Sequence, residues 1–235
     1  MRIILTGGTG LVGGELLTQC IRNASITSII ALTRRPLAPA VTSHEKVENI
    51  IHDNFNEYPD QLLKKLAGAE ACLWALGGNA SAFKTKEEAR LVTVDYTLSA
   101  ARAFHTALRT NLPSSQTKPF RFVYCSGMLA EQDPDKFLWY PTGTLKTKGA
   151  AEKGLFDLAR ANPDSFEAYA VRPALILEKD PGFIPSVMKC LFPSIKVDVL
   201  AAAMVDVTLH GGEAHVLENP ELLERGNAVI AKEGK

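Results

Sequence analysis

The sequence predicts an α/β fold in which a doubly wound parallel sheet carries helices on both faces. Two patterns lead to this prediction: short apolar runs alternate with segments of helical periodicity, and a glycine-rich turn joins the first apolar run to the first helix. Apolar runs without polar alternation are typical of strands that are covered on both faces. Hydrophobic residues fill 46% of the 235 positions, which supplies enough apolar surface for such a core.

The apolar runs define the expected strands, and the periodic segments define the expected helices. We predict strands at residues 2–6, 26–33, 46–53, 71–77 and 120–126, a sixth strand that lies within 166–177 and ends at Pro173, and a short last strand at 226–230. We predict helices at residues 11–23, 61–68, 86–108 and 143–161. Residues 178–225 break the alternation. We interpret them as a small C-terminal substrate lobe of the same domain, closing over the carboxyl ends of the strands, where ligands bind in such sheets.

Charge and composition exclude several classes of function. The 26 Lys and Arg residues balance the 26 Asp and Glu residues, so no basic surface for nucleic acid is expected. The chain has no apolar run of about 18 residues, and we therefore expect no membrane span. The N-terminal apolar run is too short for a signal peptide, and the four cysteines form no CxxC pair. These features favour a cytoplasmic protein with reduced thiols, and the five histidines show no spacing typical of metal ligands.

The stretch "ILTGGTGLVGGELL" carries the strongest functional signal. Gly7, Gly10 and Gly13 form a GxxGxxG pattern between the first strand and the first helix. Glycines at such a turn let the backbone approach a pyrophosphate, and the helix N-terminus supplies free N–H groups. This context predicts dinucleotide binding, the alternative being a glycine-rich turn without a ligand. The expected contacts of the turn are Thr6, Gly7, Thr9, Gly10, Leu11, Val12 and Gly13.

The end of the second strand predicts which dinucleotide binds. NAD-binding chains usually place a carboxylate there, on the ribose 2′-hydroxyl, but this chain has Arg34 and Arg35. Guanidinium groups bind a 2′-phosphate through charge-assisted hydrogen bonds, so NADP is favoured over NAD. The alternative is a solvated basic turn. Asp53, after the third strand, is placed either to receive the adenine amino group or to cap a loop.

A set of motifs resembles the short-chain dehydrogenase/reductase superfamily. The resemblance extends to about residue 178 and is greatest to the atypical branch that includes the Tat-interacting-protein-like oxidoreductases and the nucleoside-diphosphate-sugar epimerase-like proteins. The motifs are "TGGTGLVG", "ALTRRP", "VDYTLSAARA", "FVYCSG", "KGAAE" and "VRPALIL".

The resemblance implies a Rossmann sheet, a nicotinamide cofactor and a small-molecule substrate. It implies that Ala75, Leu76 and Gly77 line the adenine ribose and phosphates. Lys148 would bridge the nicotinamide ribose hydroxyls, and Pro173 would lie near the nicotinamide ring. Pairing of the helices at 86–108 and 143–161 between two subunits, as in many relatives, would give a homodimer.

The same resemblance implies a Ser-Tyr-Lys catalytic group, from which this chain departs. The tyrosine of that group precedes the lysine by four residues, but Thr144 holds this position before Lys148. The alternative lysine, Lys146, has Thr142 at the same spacing. The serine would be Ser126, although a shift of one residue would place glycine there. Tyr140 precedes a proline and therefore belongs to the loop before the helix. It either reaches into the site or is a half-buried aromatic residue.

Three hypotheses for function follow from an intact cofactor turn and a missing tyrosine. The first is an NADP-dependent oxidoreductase that acts on a small carbonyl or alcohol. The second is a redox-neutral isomerase, cyclase or dehydratase that uses the same pocket. The third is a non-enzymatic protein that senses NADP(H).

Overall fold

The observed strands correspond to those predicted for the sheet. The computed structural model of the protein describes residues 1–78, 82–109, 118–137, 143–180 and 193–233. The strands in these ranges are β1 (Arg2–Thr6), β2 (Ser28–Thr33), β3 (Val47–Ile51), β4 (Ala71–Trp74), β5 (Phe120–Cys125), β6 (Phe166–Arg172), β7 (Leu175–Leu177), β8 (Ser194–Lys196) and β9 (Val216–Glu218). The six main predicted strands are confirmed, with shorter limits at several ends.

The helices also follow the predicted periodicity. They are α1 (Leu11–Arg22), α2 (Pro39–Thr42), α3 (Asp60–Leu66), α4 (Lys86–Arg90), α5 (Tyr96–Arg109), α6 (Gly143–Ala161), α7 (Val197–His210) and α8 (Asn219–Glu233). A π-helical segment, Leu91–Asp95, joins α4 to α5, so the predicted long helix at 86–108 is confirmed with an irregular turn inside it. None of the helices in the described ranges combines the length and the apolar character that crossing a bilayer requires.

The main sheet has seven parallel strands in the order β3-β2-β1-β4-β5-β6-β9. The chain builds outwards from β1 through β2 to β3, returns to the other side of β1 with β4, and continues outwards to β9. The order therefore reverses between β1 and β4. In doubly wound sheets, ligands bind at such a switch point, beyond the carboxyl ends of the strands.

Side chains of the main sheet contribute to two cores, one on each face. Successive side chains of a strand point to opposite faces. Ile3 and Leu5 of β1 accordingly pack with α1 and α7 on one face. Ile4 packs on the other face, where α3, α5 and α6 cover the aromatic side chains of Trp74 and Phe122. Burial on both faces explains why the strand sequences are apolar without alternation.

The structure corrects the predicted extent of the C-terminal lobe. Helix α7 is apolar on nearly all sides because it is buried between α1, the sheet and α8. Strand β9 pairs in parallel with β6 and forms one edge of the main sheet. Both elements fall within the predicted lobe at 178–225 but belong to the central sandwich. Among the described residues, the small parallel sheet of β7 and β8 lies after the carboxyl end of β6.

The short strand predicted at 226–230 is wrong, since these residues lie within α8. A five-residue run with few polar groups does not by itself distinguish a strand from a helix segment. Gly226 explains how closely α8 approaches α7. A Cβ atom added there would lie 2.1 Å from the carbonyl oxygen of Val199, so a larger residue would force the two helices apart.

We expect Gly226→Ala to lower the free energy of unfolding by about 1–3 kcal/mol, because the added methyl group meets backbone rather than a movable side chain. Gly14→Ala is the control. Its Cβ has ordinary contact distances inside α1, and alanine favours a helix over glycine by about 0.5–1 kcal/mol. Urea unfolding of both variants measures the difference, and a Gly226→Ala protein as stable as the wild type would contradict the close packing.

Candidate active site

A cleft of about 430 Å³ lies at the switch point of the sheet. It brings together the start of α1, the ends of β4, β5 and β6, the π-helical segment and α6. The residues that line it in the described part of the chain are 10–13, 75–78, 93, 124–127, 148 and 173–176. The predicted residues Gly10, Leu11, Val12, Gly13, Ala75, Leu76, Gly77, Ser126, Lys148 and Pro173 are all in this lining. We take this cleft as the candidate active site.

A larger groove, of about 560 Å³, lies along α6 and the start of β6. Its charged side chains already have partners, since Arg160 pairs with Asp157 and Glu167 pairs with Arg121. It contains no glycine turn and no helix N-terminus among the described residues. The described lining of the groove therefore has fewer groups that could bind or react with a ligand than the smaller cleft has.

The glycine turn is shaped by two close backbone contacts. Gly7 has a φ of +73°, and a Cβ atom there would lie 2.3 Å from the carbonyl oxygen of Ala75. A Cβ atom at Gly13 would lie 2.1 Å from the carbonyl oxygen of Gly7. The N–H of Gly10 donates to the same oxygen at 2.8 Å. These contacts bring β1, the end of β4 and α1 to distances that side chains would prevent.

The N-terminus of α1 is free to bind an anion. Gly10 is the N-cap residue and supplies no side-chain hydrogen bond to the first N–H groups of the helix. These groups and the helix dipole attract a phosphate. The buried hydroxyl of Thr6, at the end of β1, has no hydrogen-bond partner among the described residues. The geometry therefore fits the pyrophosphate of a dinucleotide.

Arg34 and Arg35 border a second, smaller hollow. Its volume is about 40 Å³, and Gly7, Thr9 and Leu76 also line it. Leu76 lines the main cleft as well, so the two hollows are neighbours. Both arginines are exposed, and neither forms an ion pair with another described residue. Asp53 is also exposed, but it lines neither hollow in the described ranges.

Lys148 is the cation of the main cleft. Its Nζ donates to the backbone carbonyl oxygen of Ser126 at 2.6 Å. A Cβ atom at Gly127 would lie 2.9 Å from this Nζ, so the missing side chain at Gly127 leaves room for the ammonium group. Burial lowers the pKa of Lys148, while the nearby Cys125 and Glu152 oppose this shift. Lys146, the alternative lysine, is not in the described lining, and its Nζ donates to the carbonyl oxygen of Pro134.

Helix α6 is held against the segment that comes after β5, and this contact fixes the position of Lys148. A Cβ atom at Gly149 would lie 1.8 Å from the carbonyl oxygen of Glu131. The N–H of Glu131 donates to the carbonyl oxygen of Leu145 at 3.1 Å. The glycine directly after the lysine in "KGAAE" therefore allows α6 to dock onto backbone.

Two of the hydroxyl groups expected for catalysis, those of Ser126 and Thr144, do not meet in the cleft. The Ser126 side chain is buried, and its hydroxyl donates to Glu152 Oε1 at 2.5 Å. Thr144 is half-buried on α6, one turn before Lys148, and is not in the described lining. Tyr140 lies outside the described residues. The ionisable side chains in the described lining are Tyr124, Cys125 and Lys148.

Glu152 is the centre of a buried polar cluster behind Ser126. Its carboxylate accepts hydrogen bonds from Ser126, from Gln132 at 2.8 Å, and from Arg172 at 2.9 and 2.6 Å. The two bonds from Arg172 go to different oxygens, which is the bidentate geometry that guanidinium groups favour. Arg172 also pairs with Glu218, and the two carboxylates, chiefly Glu152, raise the pKa of Arg172.

The sequence interpretation missed Glu152, Arg172, Gln132 and Thr93. Glu152 and Arg172 stand inside the quoted motifs "KGAAE" and "VRPALIL", but nothing local signals that they meet. Thr93 lies in the π-helical segment, is 2% exposed and lines the cleft. Irregular π-turns often occur at functional sites, but the sequence does not reveal where they form.

Comparison with known proteins places this geometry in context. No family model matches the chain. The leucinostatins biosynthesis cluster protein T of Purpureocillium lilacinum is 33% identical, and the aligned region covers 75% of this chain and 65% of that protein. The chain thus spans less than two thirds of that relative's length.

Three solved structures share the fold. The PhqB reductase domain from Penicillium fellutanum has a TM-score of 0.67 at 15% identity, covering 92% of this chain and 66% of that chain. A dTDP-glucose 4,6-dehydratase from Streptomyces venezuelae, with NAD bound, has a TM-score of 0.68 at 15% identity, covering 100% and 81%. A UDP-glucuronic acid 4-epimerase from Bacillus cereus, with NAD bound, has a TM-score of 0.64 at 13% identity, covering 93% and 77%.

These similarities show that the chain has the Rossmann fold, which it shares with a reductase domain, a dehydratase and an epimerase. The predicted α/β class with a parallel sheet is likewise confirmed.

The lowered pKa of Lys148 makes the free energy of unfolding depend on pH. The unfolded chain keeps this proton up to about pH 10.5, whereas the folded protein releases it at lower pH. Between these values the unfolded state binds more protons, so this lysine makes stability rise with pH. We expect the free energy of unfolding to lose this increase with pH in Lys148→Met and to keep it in Lys146→Met. Urea unfolding from about pH 8 to 10.5 measures the slopes, and equal slopes for wild type and Lys148→Met would contradict the assignment.

Proposed function

We propose that the protein is an NADP(H)-dependent oxidoreductase that acts on a carbonyl or alcohol. The observation that carries this proposal is the position of Lys148, which shares one cleft with the glycine turn and the N-terminus of α1. The helix N-terminus in this cleft suits a pyrophosphate, and the half-buried ammonium group of Lys148 and Pro173 belong to the same lining. A dinucleotide that spans the two ends would place its reactive ring close to Lys148.

Each part of the proposed cofactor site has residues of suitable chemistry. The free N–H groups at the start of α1 would bind the pyrophosphate. Arg34 and Arg35 would bind the 2′-phosphate from the neighbouring hollow. Lys148 would donate to the ribose hydroxyls on the nicotinamide side. The bound nicotinamide would supply a hydride to a carbonyl carbon, and the protein must then supply a proton to the oxygen.

Lys148 is the proposed source of this proton. Tyr124 and Cys125 share the described lining, but burial raises the pKa of both, so they hold their protons tightly. Burial acts in the opposite direction on an ammonium group and makes Lys148 a stronger acid than an exposed lysine. Transfer from Nζ to the carbonyl oxygen would leave a neutral amine, which takes a proton back from water.

The walls of the cleft favour an apolar substrate. Leu11 and Leu175 line it and are 50% and 56% exposed, although large apolar side chains are usually buried. Ile176 lies beside Leu175 in the same lining. The leucinostatins biosynthesis cluster protein T supports a role in a biosynthetic pathway, and the PhqB reductase domain supports a reduction as the reaction.

A redox-neutral reaction is the second candidate. Dehydratases and epimerases share the fold, and their presence among the similar structures favours this alternative. The lack of a tyrosine four residues before Lys148 fits it equally well. Conversion of a substrate without net change in the nicotinamide absorbance would support this candidate over the first.

We expect Arg34→Ala and Arg35→Ala together to weaken NADPH binding by about 10- to 100-fold, because each arginine would lose charge-assisted hydrogen bonds to the 2′-phosphate. NADH lacks this phosphate, and its affinity should stay the same. Calorimetric titration of both cofactors measures the effect. Equal affinity of the wild type for NADPH and NADH would overturn the choice of NADP.

The oxidoreductase proposal is tested by following NADPH oxidation with a panel of apolar aldehydes and ketones. Lys148→Met should reduce the rate by about 10²–10⁴-fold, the usual loss when a general acid is removed. Lys146→Met, two residues away on the same helix, should keep the wild-type rate. Absence of NADPH oxidation with every carbonyl of the panel would count against the first candidate.

A further inference from the structure

Lys148 and Glu152 are spaced to pair with each other, but they do not. They stand four residues apart on α6, and opposite charges at this spacing usually attract each other on a helix. Among the described residues, no ion pair joins them. The Nζ of Lys148 instead donates to the backbone oxygen of Ser126.

Glu152 is saturated by other donors. Oε1 accepts from the Ser126 hydroxyl at 2.5 Å and from Arg172 Nε at 2.9 Å. Oε2 accepts from Gln132 at 2.8 Å and from Arg172 Nη2 at 2.6 Å. An ionised carboxylate offers about four acceptor sites, so these four bonds leave none for Lys148. The side chain is also fully buried, and water cannot replace a lost partner freely.

We propose that Arg172 is a positioning residue that keeps Glu152 away from Lys148, so that the Lys148 ammonium stays available to a ligand in the cleft. Two of the four bonds to Glu152 come from Arg172, and this guanidinium supplies the balancing charge. Without it, Lys148, four residues earlier on the same helix, would be spaced to pair with the buried carboxylate. The two side chains would then pair and remove the ammonium group from the ligand.

This inference rests on the proposed function only in the choice of ligand, the nicotinamide half of NADP(H). The proposed role of Arg172 and a merely structural role predict different results when Glu152 is neutralised. If Arg172 only joined β6 to α6, removing the charge of Glu152 as well would not restore binding. If Arg172 restrains Glu152, neutralising Glu152 would make Arg172 dispensable for binding.

The test is a double-mutant comparison of NADPH affinity by calorimetry. We expect Arg172→Met to weaken binding by about 10- to 100-fold, the effect of losing a charge-assisted contact from Lys148. Glu152→Gln/Arg172→Met should return to within about threefold of the wild type, because the neutral amide has no charge to attract Lys148. Lys148→Met/Arg172→Met should be no weaker than Lys148→Met alone. If Glu152→Gln/Arg172→Met binds as weakly as Arg172→Met, the proposal is overturned.

A second readout reports on Lys148 itself and needs no cofactor. Reductive methylation with ¹³C-formaldehyde labels the lysines, and the Lys148→Met spectrum identifies the Lys148 signal. We expect this signal to titrate at higher pH in Arg172→Met than in the wild type, because an unpaired carboxylate beside Lys148 stabilises its charged form. In the intact site burial lowers the pKa of Lys148, and the ionisable groups Cys125 and Glu152 oppose this shift. An unchanged titration in Arg172→Met would contradict the proposal.

Thermal unfolding of every variant serves as the control that the variant is folded. If Arg172→Met does not fold, Arg172→Gln takes its place in the same comparison, because its amide still donates to Glu152 while the balancing charge is lost. The two readouts also separate the inference from the proposed function. A wild type that does not bind NADPH overturns the proposed function, whereas the titration of Lys148 still decides the role of Arg172.

Discussion

The site depends on one steric constraint, the passage of three backbone segments through a space that admits no side chain. The left-handed turn at Gly7 presses against the end of β4, and Gly13 presses α1 onto that turn. A strand, a turn and a helix thereby meet at the switch point of the sheet. The N-cap residue Gly10 supplies no capping side chain to the helix start, which lines the cleft. A methyl group at either position would separate these segments and move the helix N-terminus away from the cleft.

The opposite wall of the cleft is held by charge as well as by packing. Helix α6 meets the segment after β5 through Gly149, and the buried carboxylate of Glu152 ties the same helix to β5 and β6. A buried ion pair adds little net stability by itself, but losing one partner is costly. The ion pair of Arg172 and Glu152 therefore fixes the position of α6 against β6 more than it stabilises the fold. One wall therefore presents the N–H groups at the start of α1, and the other presents the ammonium group of Lys148. This arrangement suits a ligand whose middle is anionic and whose reactive end is neutral.

Features that depend on neighbouring residues could be predicted from the sequence. Features that depend on contacts between residues far apart in the chain could not. The glycine turn and the helix at 143–161 depend on neighbouring residues, and both are found where predicted. The interpretation of residues 178–225 as a lobe overlooked that an all-round apolar helix such as α7 belongs inside a sandwich. Ser126 lines the cleft, but its hydroxyl donates to Glu152, whose carboxylate also accepts from Arg172, far along the chain. No spacing rule within a single element shows such a contact.

The π-helical segment between α4 and α5 has a consequence for how this site tolerates change in chain length. A π-turn closes its hydrogen bonds over one residue more than an α-turn does. Removing a single residue from Leu91–Asp95 would let the whole segment run as a regular helix, and each residue of an α-helix turns the chain by about 100°. Because the π-turn already absorbs one residue, α4 and α5 could then both keep their present faces, whereas an extra residue in a regular helix would rotate one of them by this angle. Thr93 lies in that segment and lines the cleft, so a deletion there would change the wall of the site without rebuilding the sheet.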